Sequence, residues 1–154
     1  MEELASDDRD GVAGERPNAD WWYSRAALLY FFAAGEPAVA IKIGVTTIRK
    51  EKDKIEASDW VACIRQRQGQ IQSSNHETIR LLGTIRFSDG ASPARDAEML
   101  ERELHKKFAE LQRFHPHTRG AEWFTPGPPI WQYINENTRR LSGYHGVIGL
   151  PINR

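Results

Sequence analysis

The sequence predicts an α+β domain, and three patterns support that class. Two short apolar runs, LLYFF and IKIGV, flank the turn-forming segment AGEP, as in a β-hairpin. Two later segments repeat apolar residues at steps of three and four, which is typical of amphipathic helices. A segment between these helices alternates with a period of two, which indicates a third strand.

Composition divides the chain of 154 residues into three expected parts. Residues 1–20 hold seven acidic and two basic side chains without apolar periodicity, so we expect a disordered N-terminal segment. Residues 21–141 carry the periodic patterns and form the predicted domain, and residues 142–154 are assigned to a C-terminal tail. The aromatic run WWY at 21–23 either anchors the N-terminus to the domain or offers rings for base stacking.

The predicted hairpin carries two polar side chains in otherwise apolar strands. Tyr30 lies in the first strand and Lys42 in the second, two residues before Gly44. Because side chains alternate along a strand, Lys42 is expected on the face opposite to the aliphatic residues of the second strand, which we assign to the core. The mixed-charge segment RKEKDKIE that follows is expected to be a solvated loop, although its cations could also contact a DNA backbone.

The first predicted helix, Ala57–Gln72, carries an arginine on its apolar stripe. Arg67 is three residues after Ile64 and four before Ile71, so the three side chains share one face. Arg65 falls off that stripe and is expected to be solvated.

The second predicted helix, residues 93–111, carries a glutamate in the same way. Glu101 is four residues after Ala97 and three before Leu104, and a preceding Ser-Pro pair supplies an N-cap and a first-turn proline. A buried charge is costly unless it is paired or hydrogen-bonded. Arg67 and Glu101 are therefore candidates for a functional site, although a structural ion pair between the two helices would also explain them.

The third strand and a closing helix complete the predicted elements. Residues Ile79–Phe87 alternate so that one face is expected to carry Ile79, Leu81, Gly83, Ile85 and Phe87. The segment PGPP at 126–129 breaks the chain, and a closing helix is then expected from Ile130, Trp131, Ile134 and Leu141.

The order of these motifs resembles the GIY-YIG nuclease superfamily. Residues 28–30 (LLY) stand in place of the first tripeptide of that family and residues 42–44 (KIG) in place of the second. The strings YFF, KIGVTT, RQGQIQSSN, ERELHKKF and AEWF, in that order, are most similar to the bacteriophage DNA-binding branch and its meiotically up-regulated relatives. The resemblance covers residues 28–133 and implies a small three-stranded antiparallel sheet flanked by helices.

The resemblance also implies metal-dependent hydrolysis of phosphodiester bonds in DNA. Tyr30 would help to activate or position the attacking water, and Arg67 would bind the scissile phosphate and offset charge in the transition state. Glu101 would hold the divalent ion, Mg²⁺ or Mn²⁺, because such an ion keeps several waters and needs few carboxylates. Lys42 replaces the second tyrosine of the family pattern and can bind phosphate as a point charge, but it is a poor proton-transfer group unless its pKa is lowered.

Three further residues are candidates near this site. His105 would orient Glu101 or contact phosphate, and Glu122 is either a second acidic group of the site or a hydrogen-bonding partner at a strand end. Arg65, which precedes Arg67 by two residues, is kept as a weaker candidate for the same site. A zinc site at His105, His115 and His117 is not expected, because the spacing matches no familiar ligand set and the chain has one cysteine, Cys63.

Composition limits the remaining possibilities. Zero net charge hides an asymmetry, since residues 21–154 hold 19 basic and 14 acidic side chains. This small surplus predicts weak, salt-sensitive binding to DNA. Cys63 is expected to pack in the first helix. The chain shows neither a signal-peptide core nor an apolar run of membrane-spanning length, so we expect a cytoplasmic protein without a membrane partner.

Two functions from different classes fit the sequence. The first is a GIY-YIG-type DNA endonuclease, and the second is a DNA-binding module that retains the fold without efficient chemistry. A plain interaction domain is the third possibility, but it leaves the inward positions of Arg67 and Glu101 unexplained.

Overall fold

The predicted hairpin forms the centre of the structure, a computed structural model that describes residues 19–113, 122–141 and 144. Strands β1 (Ala27–Ala34) and β2 (Ala40–Thr47) are antiparallel, and Tyr30 lies directly opposite Gly44. Gly35 begins the connecting turn with a φ of 91°, a conformation that side chains other than glycine rarely adopt. The hairpin therefore fixes the position of Tyr30 relative to the middle of β2.

The sheet has four strands, so the expectation of three is wrong. Strand β3 (Ile79–Phe87) pairs with β1, and the two-residue strand β4 (Trp123–Phe124) pairs with β2, which gives the antiparallel order β3-β1-β2-β4. A strand of two residues shows no alternation in the sequence. For this reason AEWF is among the strings of the resemblance, but no strand is predicted there from the sequence.

A β-bulge divides β3, and it overturns the expectation that its apolar residues share one face. The pairing with β1 shifts between Phe31 and Phe32, which leaves Leu82 as an extra residue. As a result, Leu81 packs on one face of the sheet whereas Ile85 packs on the other.

Helices cover both faces of the sheet. The chain forms α1 (Ala19–Tyr23), α2 (Ala57–Gln72), α3 (Pro93–Lys107) and α4 (Pro128–Asn137), with short 3-10 turns at Lys52–Lys54 and Ala109–Leu111. Helix α2 has the predicted bounds, whereas α3 ends four residues earlier than predicted. Ser92 is the N-cap of α3 as expected, although its side chain makes no capping hydrogen bond.

The two faces carry separate cores. Helix α2 packs Trp60 and Ile64 against the face that holds Leu28, Tyr30 and Phe32. The opposite face packs against α3 and α4 through Leu29, Phe31, Ile41, Ile43, Leu104, Phe108, Ile130 and Ile134. Lys42 does lie on the face opposite to the β2 aliphatics, but that face also has a core. An open site must therefore lie at an edge of the sheet.

Within the ranges that the structure describes, no helix is long and apolar enough to cross a membrane. The expected disorder of residues 1–20 and the tail at 142–154 fall almost entirely outside those ranges, as do His115 and His117.

Candidate functional site

A cavity of about 770 Å³ opens at the outer edge of β2. Strand β4 pairs only with Ile41 and Lys42 of this edge. One further hydrogen bond joins the Ile43 N–H to the carbonyl of Glu122, the residue before β4, at 3.2 Å. The rest of β2 through Thr47 lines the cavity instead. Because α2 and α3 lie on opposite faces of the sheet, side chains from both helices reach this uncovered edge.

Six of the seven residues predicted from the sequence line this cavity, namely Tyr30, Lys42, Arg67, Glu101, His105 and Glu122. Arg65 does not line it. The Arg65 guanidinium lies 6.0 Å from the centre of the Tyr144 ring, on the exposed side of α2.

Tyr30 lies across the backbone of Gly44. A Cβ atom added to Gly44 would contact the Tyr30 hydroxyl and would lie 2.7 Å from its Cζ, so any larger residue at 44 forces the ring to move. The ring is 3% exposed and packs against Phe32 with 4.9 Å between ring centres. Burial raises the pKa of Tyr30 to about 12, and the positive charge of Arg67 only partly offsets this effect. The phenol therefore stays protonated near neutral pH.

Lys42 and Glu122 form an ion pair across the β2–β4 junction. The Lys42 Nζ donates to Glu122 Oε2 at 2.5 Å, and the Lys42 side chain is 13% exposed. Burial alone would raise the pKa of Glu122, but the hydrogen bond and the charge of Lys42 outweigh it, so the pKa lies below its usual value. Glu122 is therefore an ionised member of the site, and its role as a site residue includes holding Lys42.

Arg67 projects from α2 into the cavity and is half-buried. Within the described residues its guanidinium makes no hydrogen bond or salt bridge. The interhelical ion pair between Arg67 and Glu101, which the sequence left open, is absent from the same ranges. Arg67 thus retains its donors for a ligand in the cavity.

Glu101 and His105 reach the cavity from successive turns of α3. The His105 Nε2 donates to the Ile43 carbonyl at 3.2 Å and lies 3.8 Å from Glu101 Oε2, which is too long for a hydrogen bond. Burial raises the pKa of Glu101 to about 7. The negative charge of Glu98 also raises this pKa, and its effect is larger than the opposite effect of the positive charge of Lys42. Burial also lowers the pKa of His105, so this imidazole is neutral at pH 7.

Several cavity residues were not predicted as site residues. Arg25, Arg49 and Glu98 add charge, and α2 adds two amides, from Gln66 directly before Arg67 and from Gln70 about one turn after it. Arg49 belongs to the RKEKDKIE segment, whose cations the sequence indicates as possible DNA contacts. Arg25 and Glu98 could not be found from the sequence, because neither interrupts an apolar stripe. Tyr23 is buried, as an anchoring role requires, and Trp22 lines the cavity.

The charge of the cavity is mixed. Four cationic side chains, those of Arg25, Lys42, Arg49 and Arg67, face the three carboxylates of Glu98, Glu101 and Glu122. Among the residues that the structure describes, no group of three or more His, Cys, Asp or Glu side chains is arranged to hold a metal ion. Cys63 is half-buried and donates to the Thr47 carbonyl at 3.6 Å, in keeping with its expected packing role.

Comparisons of the chain with protein-family models, with curated proteins and with solved structures found no match.

Proposed function

We propose that this cavity binds a phosphodiester group of DNA and cleaves it with the help of a divalent cation, in the manner of a GIY-YIG-type endonuclease. One observation carries the proposal. Tyr30, Lys42, Arg67 and Glu101, which lie up to 71 positions apart in the sequence, all line one open polar cavity. Two of these side chains come from the central hairpin and two from helices on opposite faces of the sheet, and the cavity at the edge of β2 is where they meet.

Arg67 binds the phosphate in this proposal. Its guanidinium faces the cavity without an internal partner among the described residues, and the planar fork of arginine matches two phosphate oxygens. The same contact stabilises the extra negative charge that develops on the phosphoryl oxygens in the transition state.

Tyr30 donates a hydrogen bond in this proposal, and His105 accepts a proton. A phenol with a pKa of about 12 donates a hydrogen bond at neutral pH and orients the attacking water or a phosphate oxygen. His105 is neutral, and because Nε2 donates to the Ile43 carbonyl, Nδ1 carries the free lone pair. His105 is therefore the cavity group suited to accept the proton of the attacking water.

Glu101 would hold Mg²⁺ or Mn²⁺. A carboxylate oxygen is the donor that such ions prefer, and they complete their coordination with water and phosphate oxygens rather than with a full protein cage. The pKa of about 7 reflects a carboxylate that is half-buried next to another carboxylate, Glu98, and a bound cation would relieve this repulsion. When bound, the ion would polarise the phosphoryl oxygen and stabilise the leaving oxygen.

DNA binding without cleavage is a second candidate, and the Lys42–Glu122 ion pair favours it. At the position where the family carries a second phenol, this chain carries an ammonium already held by a carboxylate at 2.5 Å. An ion-paired lysine contributes charge to phosphate binding but is a poor group for proton transfer.

Cleavage of a supercoiled plasmid separates the two candidates. A nuclease is expected to nick or linearise the plasmid with Mg²⁺ or Mn²⁺ and to leave it intact with EDTA. Glu101→Gln should abolish cleavage, whereas Glu103→Gln, an exposed control two residues further along α3, should leave it unchanged. Protein that binds DNA but cuts nothing with either ion would support the binding module and exclude the nuclease.

A second pair of variants tests phosphate binding in either candidate. Arg67→Gln should weaken binding to a labelled duplex in EDTA about tenfold or more, because a charge-assisted hydrogen bond is lost. Arg65→Gln, its matched control on the outer side of α2, removes the same charge from outside the cavity. Equal affinities for these two variants would contradict the assignment of the cavity to DNA.

A further inference from the structure

A second cavity, of about 380 Å³, lies at the opposite edge of the sheet and is strongly basic. We call it the arginine cleft, and it is lined by Thr84, Ile85, Arg86, Asn137, Arg139, Arg140 and Leu141. Three of these side chains are cationic and none is acidic. The three arginines are exposed, and within the described residues none makes a salt bridge.

The cleft is built on fixed elements. After α4 the chain turns back along β3, where Thr84 and Arg139 exchange two backbone hydrogen bonds of 3.2 and 3.0 Å. Gly83 permits this approach, because a Cβ there would lie 2.6 Å from the Thr138 Cβ. The backbone of Arg139 and Arg140 is thereby held against the edge strand.

Arg86 is held separately. Its guanidinium lies over the Trp60 ring of α2, with 4.6 Å between its central carbon and the ring centre. A stacked guanidinium keeps its N–H groups available at its rim, and it loses less conformational freedom on binding than a free side chain. Three guanidinium groups thus converge on one cavity, and no carboxylate among the described residues lines it.

We propose that the arginine cleft binds the phosphodiester backbone of nucleic acid and supplies the affinity that the cavity at β2 lacks. That cavity carries four cations against three carboxylates, whereas the cleft carries three cations against none. Guanidinium groups bind phosphate oxygens in a two-pronged geometry, and each phosphate so neutralised releases counterions. The proposal rests on the function proposed for the first cavity, which identifies the polyanion as nucleic acid.

Position supports this division of roles. The cleft adjoins β3 and the cavity adjoins β2, and only β1 separates these two strands. Both sites also adjoin α2, the cavity through Arg67 and the cleft through Arg86, which lies over Trp60. Adjacent strands are about 4.8 Å apart, so β2 and β3 are about 10 Å apart, which corresponds to about three base pairs of duplex. A duplex of a few base pairs is therefore long enough to reach from one site to the other.

Fluorescence anisotropy of a labelled duplex in EDTA, at several salt concentrations, tests the proposal without requiring cleavage. Arg139→Gln/Arg140→Gln should weaken binding at least about tenfold and lower the slope of log K against log salt by about 1.8, since each phosphate contact contributes about 0.9. The control, Lys106→Gln/Lys107→Gln, removes two neighbouring exposed charges outside both cavities and should change the slope little.

A charge-conserving variant distinguishes a lost phosphate contact from a folding defect. Arg139→Lys/Arg140→Lys should keep the salt slope while losing affinity, because lysine keeps the charge but not the two-pronged geometry. The cleft proposal fails if Arg139→Gln/Arg140→Gln has the same affinity and salt slope as the control variant that lacks two lysines. If wild-type protein still binds and cleaves DNA in that case, the function proposed for the first cavity stands. If wild-type protein binds no DNA, both proposals fail.

Discussion

Gly44→Ala is expected to displace the Tyr30 phenol and to destabilise the domain. The added Cβ would contact the hydroxyl and lie 2.7 Å from Cζ and 3.0 Å from Cε1. The ring cannot swing away freely, because it is almost fully buried and packs on Phe32. Inserting a methyl group into packed surroundings costs about 1 to 3 kcal/mol. For a chain of this size, each kcal/mol lowers Tm by roughly 2 to 4 °C.

Gly69→Ala is the matched control for this substitution. Gly69 lies within α2 with no atom near the position of an added Cβ, so alanine there should stabilise the helix by about 0.5 to 1 kcal/mol. Urea denaturation should therefore separate the two glycine variants by about 1.5 to 4 kcal/mol. Tyr30→Phe removes the hydroxyl, the atom nearest to the new Cβ, and the cost of Gly44→Ala should be smaller in that background.

The same substitution should affect function more than stability. A shift of about 1 Å in a positioned group can cost about a hundredfold in rate. Gly44→Ala should therefore reduce DNA cleavage at least tenfold at temperatures where the protein is still folded, whereas Gly69→Ala should not. A Gly44→Ala protein that is as stable and as active as wild type would refute the placement of Tyr30 across Gly44.

Two further predictions concern ionisable groups of the cavity. Because burial raises the pKa of Glu101 from 4.5 to about 7, the folded state binds more protons than the unfolded state between these values, and stability falls as pH rises through this window. Glu101→Gln should therefore be more stable than wild type at pH 8, by up to about 3 kcal/mol, and similar to it at pH 4, as measured by denaturation across pH. A double-mutant cycle with Lys42→Met and Glu122→Gln should show a coupling of about 1 kcal/mol, because the pair is only partly buried, and a coupling near zero would contradict the ion pair.

Much of the fold was accessible from periodicity. The bounds of α2 and the hairpin follow from apolar spacing and turn residues, which act locally. The bulge in β3 was not accessible, because the extra residue, Leu82, is apolar and fits either face. Strand β4 was missed for a different reason, since a two-residue strand forms only because the edge of β2 is available to it.

The site was partly accessible for a related reason. Arg67 and Glu101 each interrupt an apolar stripe, and the cost of burying a charge there distinguishes them within the sequence alone. The partner of Lys42 could not be inferred in this way, because Glu122 lies 80 residues away and reaches Lys42 only through the pairing of β4 with β2. The arginine cleft was missed because Arg86, Arg139 and Arg140 occupy ordinary exposed positions and meet only when the chain returns along β3.

The proposed function requires the cavity at the edge of β2 to hold a phosphodiester and a divalent cation together. Crystals of the protein with a short duplex and Mn²⁺ test it most directly, because the anomalous signal of manganese locates the ion independently of the DNA. We expect a manganese peak bound to the Glu101 carboxylate and a DNA phosphate that accepts hydrogen bonds from the Arg67 guanidinium. A bound duplex whose phosphates all lie outside this cavity, with no manganese at Glu101, would contradict it.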